Sequence, residues 1–153
     1  MIDIDNQTSF KLTIQIIKKL EDISTYININ SSINMELLII YKPQMKNINK
    51  TYRNIDKSTD VLSFPNINEI TNNHTQNKPN IFIGSIIICY EYILKKAKEY
   101  NHSNTDEFYL LYIHGLLHLY GYDHEKDEGE HRSKEEEIIK KFKLPQSLCV
   151  RNS

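Results

Sequence analysis

A chain of 153 residues with 39% hydrophobic and 25% charged side chains has the length of one domain with a single core, and its composition excludes a disordered or fibrous protein. A net charge of −1 excludes attraction of polyanions by the overall field, so any such partner must be met by a local basic patch. No apolar run could cross a bilayer and the first five residues resemble neither a signal nor a transit peptide, so a cytoplasmic protein without a membrane partner is expected.

The first expected element is a helix over 8–23, capped by Thr8 or Ser9 and packing through Phe10, Ile14, Ile17 and Leu20. Residues 35–41 are apolar, partly β-branched and few, which predicts a strand. Pro43 suits the first turn of a helix running to Tyr52 or Arg53. Lys42, Lys46, Lys50, Arg53 and Lys57 recur at spacings of four, four, three and four, so the helical ones share a face. That stripe is either a solvated helix face or a track for the phosphates of a polyanion, with Lys46, Lys50 and Lys57 as the candidate contacts.

A strand is expected over 61–64, between Asp60 and Pro65, followed by a polar loop over 66–80 in which His74 reads as exposed. Residues 81–88 are apolar enough for a central strand, with a bulge or close backbone approach at Gly84. A helix over 90–100 should turn Ile93, Leu94 and Ala97 inward, with His102 after it structural or exposed. Cys89 and Cys149 form no CxxC pair and read as free thiols.

The next helix, from a Thr105 cap, is apolar over most of its surface and should lie at the centre of the domain. It carries His114 and His118, one turn apart and able to share a metal ion. His124 cannot join them from the same helix, because six residues further on it would lie about 240° round the axis. Gly121 is placed to end the helix in a left-handed conformation and let His124 return. Three imidazoles with one open position describe a zinc site, one ion per chain, rather than a closed structural site of four ligands. The acid-rich segment 125–137 leads into a last helix over 133–142 and reads as a solvated face, with His131 at the surface. Asp123 and Asp127 are candidate partners for the second nitrogen of an imidazole.

The spacing HxxxHxxGxxH is that of metzincin proteases, but Gly115 stands where their glutamate base would be. HGLLHLYGYDH at 114–124, together with an arginine ahead of TDVLSF at 59–64, resembles the YbeY family of endoribonucleases, over roughly 35–144. The resemblance implies a zinc-dependent, single-strand-specific endoribonuclease that matures ribosomal RNA at the 3′ end of the small-subunit species and serves ribosome quality control. It also implies Arg53 as the catalytic cation, with the ribosome or small-subunit assembly proteins as partners. Ser85 departs from the family, which usually has aspartate there. A metzincin-like peptidase and a non-catalytic ribosome-assembly factor with a structural metal are the alternatives. The fold expected is α+β, one domain over 1–153, with a small mixed β-sheet packed by helices around the metal-binding helix.

Overall fold

Ile2-Asp3-Ile4-Asp5 alternates apolar and acidic residues, the period of a strand with one buried face. In the computed structural model, which describes residues 1–27, 33–66, 81–146 and 148–151, this stretch is strand β1 (Ile2–Asn6), an element absent from those expected above. It pairs in parallel with β2 (Ile33–Ile40), and β2 pairs in parallel with β4 (Ile81–Cys89). β3 (Val61–Pro65) completes the sheet antiparallel to β4, in the order β1-β2-β4-β3, so β4 is central as its apolar run requires. The mixed sheet packed by helices is the α+β fold expected. Most of 66–80, with His74, lies outside the described residues, as does the Cys149 side chain; Cys89 is a buried free thiol that burial, reinforced by Glu91, pushes up to about 11.

β4 contains a bulge that sets its two faces. Phe82 pairs with Asn34 and Gly84 with Met35, which leaves Ile83 as the extra residue. Because of that insertion, Ile83, Ile86 and Ile88 all reach the main core, although strict alternation would put Ile83 opposite Ile86. Ile87 and Cys89 face the other side, with Ile40, Met45 and Leu62. Gly84 has φ +136°, and a Cβ there would lie 2.3 Å from the Phe64 carbonyl oxygen, so both the bulge and the approach of β3 require glycine.

The first helix begins later than expected: α1 is Ile14–Ile27. Asn6 explains the delay, since its side-chain oxygen accepts from Thr8 N and Oγ1 and its Nδ2 donates to the Phe10 carbonyl, holding a turn. Thr13 Oγ1 accepts from Ile16 N and is the effective cap. Ile16, Leu20 and Ile23 are buried and Ile14 is 84% exposed, so the apolar face differs from the one expected; Phe10 is buried from the turn. α2 (Lys42–Arg53) has Pro43 in its first turn and ends at Asn54 in the left-handed region. α3 (Tyr90–Glu99) buries Ile93 and Ala97 but leaves Leu94 38% exposed at the margin of that face.

α4 (Asn104–Leu119) is the centre of the molecule, with Phe108, Leu111, Tyr112, Leu116 and Leu119 wholly buried between the sheet and the other helices. Its cap is Ser103, whose hydroxyl accepts from Asp106 N at 3.0 Å, rather than Thr105. α5 (Glu130–Phe142) starts a turn earlier than expected, and the short α6 (Leu148–Arg151) ties to α4 through two hydrogen bonds that the Arg151 guanidinium donates to the Glu107 carboxylate. His102 is structural, 3.5 Å from the same Glu107. Among the described residues no helix is long and apolar enough to cross a membrane.

Candidate metal centre

α4 approaches β3 and β4 closely because residue 115 has no side chain. A Cβ at Gly115 would lie 2.9 Å from Ile86 Cγ2 and 3.2 Å from Ser63 Oγ, and the Ser63 hydroxyl donates to the Gly115 carbonyl at 3.0 Å. The flanking residues of the helix bring two imidazoles together, with the Nε2 atoms of His114 and His118 3.1 Å apart. Donors at about 2.0–2.1 Å from one tetrahedral zinc would be about 3.4 Å apart, so little adjustment is needed. The helix closes as its sequence requires: Tyr122 N donates to Leu117 O and Gly121 N to His118 O, with Gly121 at φ +92°. Asp123 Oδ1 then accepts from Glu125 N, and this turn carries the His124 ring to 5.2 Å from His114 and 5.9 Å from His118, centre to centre. His124 Nδ1 is buried without a hydrogen-bond partner among the described residues, which fits a nitrogen donor to a cation.

The surface position expected for His131 is wrong. His131 is fully buried, and His114, His118, His124 and His131 together offer ligand atoms within 4.8 Å of one another. Asp123 and Asp127 also act differently from the expectation, on backbone rather than on imidazole. Asp127 accepts from Gly129 N and from His131 N, and the Gly129 bond first of all holds its carboxyl below the usual carboxylate range. The imidazole partner is Glu135, wholly buried, whose Oε2 accepts from His114 Nδ1 at 3.2 Å while its Oε1 accepts from Leu148 N at 2.8 Å. With Nδ1 engaged by Glu135, it is His114 Nε2 that faces His118. A helical stripe could have located both residues: 131, 135, 138 and 142 follow spacings of four, three and four, so the apolar face of Ile138 and Phe142 continues back through Glu135 and His131.

The cluster opens into a cleft of about 690 Å³. His114, His118, His124, Asp123 and Glu125 line it together with Arg53, Thr59, Asp60 and Ser63. Arg53 therefore shares a cavity with the three motif histidines, whereas Lys46, Lys50 and Lys57 lie on the exposed surface outside its lining. Lys46 and Lys50 each sit 3.8 Å from Asp56, and the Lys57 carbonyl accepts from Asn49 Nδ2. Ser85 takes no part in the cluster: its hydroxyl donates to Glu36 Oε2 at 2.7 Å.

Burial first, and then the neighbouring His114, His131 and His124, push the His118 imidazole down from 6.5 to about 4. Neutral imidazole is the form that binds metal. An unfolded histidine protonates near 6.5, so between pH 6.5 and 4 the unfolded chain binds more protons and stability falls as pH falls. The melting temperature of chelated protein is expected to drop across that window, and His118→Gln should flatten the drop. Coincident curves for the two proteins would show that His118 is not the group responsible.

Comparison with known proteins accords with this arrangement. A family model described as endoribonuclease YbeY matches residues 2–143. A relative from Aliarcobacter butzleri is 49% identical over 153 residues, covering 100% of both chains; one from Sulfurimonas denitrificans is 49% identical over 152 residues, covering 99% of each. A third, from Helicobacter pylori, is 40% identical over 151 residues, covering 99% of this chain and 97% of its own. All three are named endoribonuclease YbeY. A solution structure of a Thermotoga maritima protein shares the fold with a TM-score of 0.59 at 23% identity, over 94% of this chain and 92% of that one. With the family model spanning every strand and the whole histidine cluster, the chain belongs to the YbeY family of endoribonucleases.

Proposed function

We propose that this chain, as one domain over 1–153, is a zinc-dependent endoribonuclease that cleaves single-stranded ribosomal RNA. The observation that carries the proposal is the convergence of His114, His118 and His124 in the lining of a cleft that Arg53 also lines. A zinc ion held by these residues would supply Lewis acidity toward a phosphoryl oxygen. His114 is oriented by Glu135, His118 is kept neutral by burial, and Arg53 offers a planar fork to the non-bridging oxygens of a phosphodiester. Action at the 3′ end of small-subunit RNA, a part in ribosome quality control, small-subunit assembly proteins as partners and a cytoplasmic setting rest on the family resemblance.

Gly115 weighs against a peptidase. A glutamate on that helix position has no room, since even its Cβ would press on Ile86 and Ser63. The deciding experiment assays one preparation for metal content and for cleavage of single-stranded RNA, duplex RNA and casein. The expected result is cleavage of single-stranded RNA alone, lost on chelation and restored by zinc. Casein cleavage would favour the peptidase, and RNA cleavage no greater than that of a His118 variant would leave an assembly factor.

The basic stripe gives a separate expectation. Replacing Lys46, Lys50 and Lys57 with glutamine should weaken RNA binding for all sequences and reduce its salt slope by about 0.7 for each phosphate of a single strand that is no longer neutralised. Asp56→Asn should strengthen binding, because it frees Lys46 and Lys50 from their present partner. An unchanged slope in the glutamine variant would return the lysines to a solvated face.

A further inference from the structure

His131 comes from α5, outside the stretch that carries the other three histidines, yet its ring is as close to them as they are to one another. It stacks on His114 at 4.7 Å, meets His118 edge-on at 4.8 Å and lies 5.4 Å from His124. Four imidazoles around one tetrahedral ion would have ring centres about 5 Å apart, given metal–nitrogen distances of about 2.0–2.1 Å. The His131 ring is wholly buried and neither nitrogen makes a hydrogen bond to a described residue; Nε2 approaches Glu135 Oε2 at 3.3 Å, but without hydrogen-bond alignment. An imidazole buried among imidazoles with both nitrogens unsatisfied is unfavourable unless a cation completes the group. The backbone is fixed in that position as well, since Asp127 Oδ2 accepts from His131 N at 2.9 Å.

We propose that His131 is a fourth donor to the ion held by His114, His118 and His124, so that the chain binds its metal in a cage of four imidazoles. This rests on the reading that the motif histidines hold a metal. It replaces the open position inferred from the motif with a position filled by the protein itself.

The test measures zinc affinity by chelator competition, the visible spectrum of cobalt-substituted protein and the nitrogen count in zinc X-ray absorption. The proteins compared are wild type, His131→Leu and His118→Ala. Leucine fills the buried space and removes an unsatisfied polar ring, so the metal-free variant should melt at the wild-type temperature or above it. The expected result is four nitrogen donors in wild type, a zinc affinity at least 10-fold lower in His131→Leu, and a changed cobalt spectrum. Equal affinity and identical spectra would overturn the proposal and make His131 a wall of the site. If His131→Leu melts lower, His131→Gln gives the same comparison with a polar side chain retained. Zinc binding absent from wild type, or undiminished in His118→Ala, would instead refute the underlying metal reading.

Discussion

Replacing His118 with alanine should empty the metal site. His118 Nε2 lies 3.1 Å from His114 Nε2, and its ring faces those of His124 and His131 at 5.9 and 4.8 Å, so its nitrogen is shared by every geometry open to the cluster. Loss of that nitrogen leaves His114 and His124 as the motif's remaining donors. Zinc content after dialysis should fall close to zero, and RNA cleavage should fall by about 10³ or more, equivalent to roughly 4 kcal/mol of transition-state stabilisation. Elemental analysis and single-turnover cleavage on the same sample measure both. The variant should melt close to chelated wild type, because alanine removes a half-buried ring from the cleft lining rather than from the sheet–helix core. Full zinc occupancy in this variant would mean that the ion is held elsewhere.

The metal helix is legible in the sequence because its demands are local: a one-turn spacing, a glycine where the helix must end and a third histidine just beyond. What cannot be read locally comes from other elements. Glu135 and His131 sit among charged residues whose composition suggests a solvated face, and only continuation of the Ile138–Phe142 stripe marks them as buried. The bulge at Gly84 is foreseeable from a glycine inside an apolar strand, but its effect in rephasing Ile83 against Ile86 depends on register with β2. The start of α1 lies later than apolar periodicity indicates because Asn6 competes for the backbone of residues 8–10, a side-chain effect that periodicity does not register. β1 is faint in the sequence although Ile2 and Ile4 alternate with acids, since five residues provide little pattern without the partner strand.

Arg53→Ala should separate cleavage from metal binding. Arg53 is the last residue of α2, and the helix is closed just after it by Asn54 at φ +58°, with Asn54 N donating to Lys50 O. Arg53 lines the cleft that the histidines also line, and no ion pair with any described residue engages it, unlike Lys46 and Lys50. A cation held there can meet a phosphate without first leaving a carboxylate. The alanine variant should retain wild-type zinc content, because no imidazole depends on Arg53, while single-turnover cleavage falls 10-fold or more, about 1.4 kcal/mol or greater. Arg53→Lys should recover little of this, since an ammonium offers a compact charge where a guanidinium spans two phosphate oxygens in one plane. Weakened RNA binding with an unchanged rate at saturating RNA would make Arg53 a binding residue only, and lost zinc would show that it supports the fold. Unchanged cleavage would remove it from the reaction, leaving the charge that develops on the phosphate to be met by the histidine site alone.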